Sequence, residues 1–374
     1  MGYYSIIAAS FFIALALALA LTPAAIRLAP RIGAVDEPRD GRRMHTKAMP
    51  RFGGLGIFVG VMASLLCCAA FFLPSIPEAF RDGQASKLAG ILAGGALIYA
   101  VGVADDLRGL SARLKFVLQI ACACVVAASG VRISFFMGLG GETGYLGGIL
   151  SFIVTVVWIV GITNTINLID GLDGLAAGVA AIASLSIGYT AFVSEGMFTA
   201  TIVMVALTGG ALGFLPYNFH PAKCFMGDSG ALFLGFMLAS VSIIGPVKSA
   251  TVIATIIPVL VLGVPIFDTC FAILRRLASG SPIMEADKGH IHHRLMAAGM
   301  GQRRSVLTLY GVSGVMGVTA VLFSRDLFIE AAALFLISVM FIFILLTDAA
   351  GSIMKPRGIN VALKERRERR KGRR

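Results

Sequence analysis

Gly148-Ile-Leu-Ser-Phe-Ile-Val-Thr-Val-Val-Trp-Ile-Val-Gly-Ile-Thr-Asn164-Thr-Ile-Asn167-Leu-Ile-Asp170-Gly171-Leu-Asp173-Gly174 is the stretch on which the reading of this chain turns. Its first 18 residues, 148–165, carry no charge, which as a helix is about long enough to cross roughly 30 Å of bilayer hydrocarbon. The segment that follows holds amides and carboxylates at spacings of three. Such a spacing drifts about 60° per step around an α-helix, so these side chains share one face only if the helix ends or tightens among them. Gly171 and Gly174 supply that break. The spacing therefore predicts Asn164 and Asn167 on the last turn of a membrane span, and Asp170 and Asp173 on a glycine-kinked loop beyond it. Polar caps on two helix ends are the plainer reading of the same residues.

Working outward, ten more apolar runs can be drawn, at 3–26, 52–73, 88–104, 116–130, 175–193, 198–215, 231–247, 250–273, 306–323 and 328–347. The 374 residues are 57% hydrophobic and 14% charged, with a mean hydropathy of +0.87. A soluble domain has about 45–50% apolar and about 25% charged residues. The expected fold is all-α: a polytopic integral membrane protein of about eleven transmembrane helices. An odd number puts the termini on opposite sides. With the N-terminus outside, 27 of the 32 Lys and Arg fall in inner segments, which selects that orientation and a cytoplasmic C-terminus. Residues 1–350 are read as a single transmembrane catalytic domain and 351–374 as a basic, disordered cytoplasmic tail.

The formal charge of +12 does not indicate nucleic acid, because the basic residues are confined to segments between apolar runs. The first charge, Arg27, follows a long apolar stretch with no basic region before it, so this segment is expected to remain as helix 1 rather than be cleaved. The six cysteines lack the spacing of a zinc site and read as core filler. Residues 131–144 read as a short hairpin.

Asp105, Asp106, Asp170, Asp173 and Asp228 sit at inner ends of spans, Asp268 lies near the inner end of the ninth run, and all five histidines fall in inner segments. Ionisable groups bordering a bilayer are costly, and their default reading is a functional site. A cation-coupled transporter would hold them near the midplane; here they ring one mouth. Asp105-Asp106, followed by Lys115 and Gln119, brings adjacent like charges that a hard cation such as Mg²⁺ or Mn²⁺ would neutralise; a solvated turn is the alternative. Asp228, between Gly227 and Gly230, reads either as a helix N-cap or as part of a phosphate-binding helix start. His290-Ile291-His292-His293-Arg294 is too crowded for zinc and reads as donors to an anionic group. His45-Thr-Lys47 through Gly54 forms a cationic approach to the second span.

Asp-Asp, Lys-x-x-x-Gln, Asn-x-x-Asn-x-x-Asp-Gly-x-Asp-Gly, Met-Gly-Asp-Ser-Gly and His-x-His-His-Arg-Leu, in that order across roughly residues 42–305, resemble the polyprenyl-phosphate N-acetylhexosamine-1-phosphate transferases of glycosyltransferase family 4. Within that superfamily His45 to Gly54, Pro265 to Thr269 and Asp287 to Leu295 look like the bacterial undecaprenyl-phosphate GlcNAc-1-phosphate transferase branch. The resemblance implies transfer of GlcNAc-1-phosphate from UDP-GlcNAc to undecaprenyl phosphate at the cytoplasmic face of the bacterial inner membrane, with release of UMP, as the initiating step of a cell-envelope polysaccharide such as lipopolysaccharide. The phospho-MurNAc-pentapeptide transferases of peptidoglycan synthesis are the alternative within the superfamily. Membrane lipids are the surroundings, and a homodimer is left open.

By resemblance, Asp228 and Asn167 are the Mg²⁺ partners. The resemblance makes Asp105, Asp106, Asp170, Asp173 and Asp228 the catalytic set. Lys47, Lys115, Asn164, Asn167, Asp170, Asp173, His290, His292, His293 and Arg294 then bind substrate. A phosphate monoester has its second pKa near about 6, so the lipid phosphate is already a dianion at neutral pH. Direct displacement is expected over a phosphorylated aspartate. Asp268 has no evident role beyond a pairing with Arg275 two helical turns away.

Overall fold

The computed structural model describes residues 3–36, 48–72, 84–137, 143–193, 197–244, 259–278, 291–297 and 299–346. In chain order these form α1 (Tyr3–Ile32), β1 (Val35–Asp36), β2 (Met49–Pro50), α2 (Gly54–Phe72), α3 (Gln84–Arg108), α4 (Ala112–Ala128), β3 (Phe135–Met137), β4 (Thr143–Tyr145), α5 (Gly148–Ile169), α6 (Leu175–Val193), α7 (Phe198–Asn218), α8 (Gly227–Ser242), α9 (Gly263–Ala278), α10 (Ile291–Ala297), α11 (Gln302–Ser324) and α12 (Phe328–Leu346). The fold is a helical bundle. Six of its helices, α1, α3, α5, α6, α7 and α11, are long and apolar enough to cross a membrane by length and composition, and α2, α8, α9 and α12 are shorter apolar helices.

Helix α8 is the axis of the bundle. It packs against α2, α3, α5, α6 and α7, and every residue of it is buried except Asp228. A helix apolar all round belongs where other helices surround it. At the opposite extreme is α12, where Ile329, Leu336 and Phe343 are largely exposed; such side chains suit lipid rather than water. Between helices, contact is made by small residues. A Cβ on Gly209 would lie 2.4 Å from the Phe11 carbonyl oxygen, and one on Gly213 would lie 2.5 Å from that of Leu15. Two glycines four apart on α7 thus let α1 come into backbone contact. Buried hydroxyls turn back onto their own helices, as Thr155, Thr163 and Thr208 do onto carbonyls four residues earlier.

Two antiparallel strand pairs lie outside the helices. β1 pairs with β2, with Val35 opposite Pro50, and β3 pairs with β4 as the short hairpin expected, its first strand a little later than the sequence indicates. Cys68, Cys122 and Cys224 are buried core residues, Cys67 and Cys124 are half-buried, and Cys270 is exposed. Helix boundaries depart from the apolar runs where polar residues continue a helix. α3 runs on to Arg108 and α8 begins at Gly227, so Asp105, Asp106 and Asp228 are all inside helices rather than beside them.

Candidate active site

One end of the bundle gathers the last turns of α3, α5 and α7 and the first turns of α4, α8 and α11. The chain before α2 is laced to the chain before α8: Phe225 N–H donates to the Pro50 carbonyl, and Gly53 and Gly54 N–H donate to the Phe225 and Met226 carbonyls, each at 2.9 Å. Gly227 then turns with φ +72°, and a Cβ there would sit 2.5 Å from an Asp106 carboxylate oxygen. Only glycine fits that turn. The N-cap of α8 is Met226, with no side-chain cap, so Asp228 lies in the first turn and is not the N-cap. The capping acceptor comes from another helix. Asp106, whose side chain is fully buried, takes the Asp228 N–H on Oδ1 at 2.8 Å and the Ser229 N–H on Oδ2 at 2.9 Å.

Asp228 stands between two cations. Lys115 Nζ, on the first turn of α4, lies 2.6 Å from Asp228 Oδ2 and 2.9 Å from Asp105 Oδ2. Arg51 reaches Asp228 Oδ1 through NH2 at 3.1 Å and Asp106 Oδ1 through Nε at 3.2 Å. Asn167 Nδ2 also donates to Asp228 Oδ1, at 2.9 Å. That leaves the Asn167 amide oxygen free of this bond. Asp105 also shapes the turn into α4, because its Oδ1 accepts from Leu110 N–H at 2.7 Å.

A cavity of about 580 Å³ opens from Asp228 and Arg51, past Asn167 and Asp170, to Asp173, His220 and Gln302. Asp170 is the C-cap of α5. Burial, with Asp228 adding repulsion, pushes its carboxyl up to about 7. Asp173 Oδ2 is held by His220 Nδ1 at 2.8 Å and by Ala222 N–H at 3.1 Å. Asn218, buried at the end of α7, joins the two loops: its Oδ1 accepts from Gly174 N–H and its Nδ2 donates to the Cys224 carbonyl, both at 3.0 Å. The Tyr310 hydroxyl fastens the same loop by donating to the Gly174 carbonyl.

The structure thus brings together Asp105, Asp106, Lys115, Asn167, Asp170, Asp173 and Asp228. It sets Asn164 apart: its amide exchanges hydrogen bonds with Gln119, Nδ2 to Oε1 at 2.6 Å and the reverse at 3.3 Å, so it joins α5 to α4 and is not among the residues lining the cavity. Arg294, on α10, also does not line it. His45, Lys47, His290 and the tail lie outside the described residues, as do the side chains of His292 and His293. Arg51, read from the sequence as part of the cationic approach, and His220, read there as one of the inner-segment histidines, line the cavity, as do Asn218 and Gln302, which the sequence did not single out. The signal for Asn218 and His220 was polar residues in Tyr217-Asn-Phe-His-Pro, directly after an apolar run.

A divalent cation fits this end of the cavity by donor chemistry. The available ligand atoms are hard oxygens from a carboxylate and an amide, which suit Mg²⁺ held together with substrate phosphates and water.

This end of the bundle therefore offers paired cations, a metal-competent carboxylate and a cavity with acids at its far side. The same segments are found in known proteins. The family model described as glycosyl transferase family 4 matches residues 88–246, and a probable undecaprenyl-phosphate N-acetylglucosaminyl 1-phosphate transferase of Bacillus subtilis is 40% identical over 90% of each chain. The chain belongs to glycosyl transferase family 4. A decaprenyl-phosphate N-acetylglucosaminephosphotransferase of Mycolicibacterium smegmatis is 35% identical over 78% of this chain and 76% of its own. A phospho-N-acetylmuramoyl-pentapeptide-transferase of Desulforudis audaxviator is 32% identical over 82% and 94%. The family match begins in α3 and ends just beyond α8, and so contains every carboxylate described above. It does not contain Arg51.

Proposed function

We propose that this family 4 enzyme transfers GlcNAc-1-phosphate from UDP-GlcNAc to undecaprenyl phosphate, releasing UMP and forming undecaprenyl-diphosphate-GlcNAc, the first step of a cell-envelope polysaccharide. The observation that carries this reading is Asp228, gripped by Lys115 and Arg51 at one end of a cavity whose other end holds Asp173 and His220. A nucleotide sugar laid along it would put its diphosphate among the cations and its nucleoside beside the loop 170–174. Mg²⁺, when bound with Asp228 and Asn167, supplies charge neutralisation on the diphosphate; Mn²⁺ is chemically equivalent there. Lys115 and Arg51 offset the charge of two phosphorylated substrates brought face to face. Asp106 holds the start of α8 in place, Asp105 holds Lys115, and Asp170 and Asp173 border the nucleoside end. The lipid phosphate attacks as a dianion without needing a base. The more similar relatives carry GlcNAc in their names, which favours UDP-GlcNAc over UDP-MurNAc-pentapeptide.

The wider setting belongs to the same proposal. Among the described residues a helix overlaps each of the eleven apolar runs, six of them long and apolar enough to cross a membrane, which is compatible with eleven spans. The charge asymmetry supports an external N-terminus and a site on the cytoplasmic face of the inner membrane. Purified protein with Mg²⁺, undecaprenyl phosphate and a panel of UDP-sugars should release UMP with UDP-GlcNAc; better turnover of UDP-MurNAc-pentapeptide would replace the substrate. A cysteine at Ala297 should resist an impermeant thiol reagent in intact cells, and its labelling would invert the orientation.

A further inference from the structure

Asp268 is 3% exposed, inside the apolar helix α9. A carboxylate in such a place needs strong hydrogen bonds. One of them crosses 23 residues: Asp268 Oδ1 accepts from the Ile291 N–H at 2.8 Å. Ile291 is the first residue of α10, the short helix that carries His292, His293 and Arg294. The opening amides of a helix have no partner within it, and seven residues are too few to hold a helix by propensity alone. Asp268 supplies the missing acceptor from outside.

The far end of α10 is fastened too. Met300 N–H donates to the Leu295 carbonyl at 3.1 Å and Gly299 N–H to the Met296 carbonyl at 3.0 Å, with Gly299 at φ +90°. This is a Schellman closure, and Leu295 within it is buried. Gly301 then opens α11, whose Gln302 lines the cavity and whose Arg303 donates from Nε to the His220 carbonyl at 3.0 Å. His220 in turn holds Asp173. One chain of contacts therefore runs from Asp268 through α10 to the edge of the cavity.

We infer that Asp268 is a positioning residue: it fixes the start of α10 and so sets the approach of Gln302 and Arg303, which follow α10, to the Asp173–His220 edge of the cavity. The inference rests on the proposed function only in taking that edge of the cavity to serve the nucleotide sugar. Hydrogen exchange on the purified full-length protein tests the placement without any turnover. Asp268→Ala should speed exchange of the Ile291 amide by about tenfold, the loss of one hydrogen bond, while amides of α8 keep their rate. Asp268→Asn, whose amide oxygen still accepts, should restore slow exchange. In parallel the KM for UDP-GlcNAc should rise about tenfold in Asp268→Ala with the Mg²⁺ dependence unmoved, and return in Asp268→Asn. Unchanged exchange in Asp268→Ala overturns the inference, as does an Asp268→Asn protein that behaves like the alanine variant. If exchange responds as stated while the wild-type protein does not turn over UDP-GlcNAc, the substrate is wrong and the positioning role stands.

Discussion

The two ends of the cavity handle negative charge in opposite ways. At the α8 end, Asp105, Asp106 and Asp228 are each met by a cation, and Lys115 and Arg51 each bridge two of them. At the α5 end, Asp170 has repulsion from Asp228 added to its burial, and its carboxyl is pushed up to about 7, while Asp173 is held by an imidazole and a backbone amide. The first arrangement concentrates positive charge around Asp228, beside the place where phosphates and a divalent cation would gather. The second raises the Asp170 carboxyl toward physiological pH. One fold thus surrounds the same residue type in two ways, with paired cations at one end and with an imidazole and a backbone amide at the other.

The comparison can be broken most severely at Asp228. Asp228→Asn keeps the size but removes the charge that Lys115 and Arg51 share, and UMP release should fall by about 100-fold or more. A near-normal rate with unchanged Mg²⁺ dependence would reduce Asp228 to a first-turn helix residue. Next comes Asp106→Asn. Its amide nitrogen would face an N–H of α8 and leave a buried donor unmet, at a cost of about 1–3 kcal/mol, so thermal unfolding in detergent should move down by several degrees along with activity. Asp105→Asn should lower the rate with less change in melting. Neither variant should bear on a stoichiometric burst of UMP from enzyme and UDP-GlcNAc without lipid, because direct displacement gives none; a burst lost in one of them would make that aspartate a nucleophile.

Arg51→Ala should cost less, about tenfold in rate, since Lys115 remains on Asp228; an unchanged rate would mean that one cation suffices at this end. The smallest expected effect sharpens the other end. A carboxyl raised from about 4 in the unfolded chain to about 7 when folded makes the folded protein bind the proton more tightly between those values. Stability therefore falls as pH rises from about 4 to about 7 and levels off above. In chelator, Asp170→Asn should flatten the melting temperature over that window, and an equally steep profile in the variant would assign the slope to another group.

Much of this site was legible in the chain. Asp170 and Asp173 beyond α5, Lys115 opening α4 and Asp228 beside Gly227 all announce themselves because a polar residue at the edge of an apolar run has few innocent explanations. Other parts were hidden for definite reasons. Hydropathy stops at the first charge, so the apolar runs end at 104 and begin at 231, while α3 continues through Asp105 and Asp106 to Arg108 and α8 starts at Gly227. Asp106 finds its amide partner 122 residues away, and no local pattern encodes such a pairing. Asn164 shares the spacing of Asn167 yet turns to Gln119 instead of the cavity, because it lies one turn deeper in α5, within reach of Gln119 on α4. Asn218 and His220 look like ordinary loop residues until the fold sets them between two acidic loops.

The grip of Asp106 on the two opening amides of α8 has a consequence for how residues in this enzyme are ranked. An oxygen already committed to each amide has little left with which to greet a substrate, so a loss of turnover on replacing Asp106 should come through the start of α8 rather than through a missing reactive group. A survey that scores essentiality by lost turnover would count it among the chemists of the reaction, when its work is masonry: it sets the stone on which Asp228 stands.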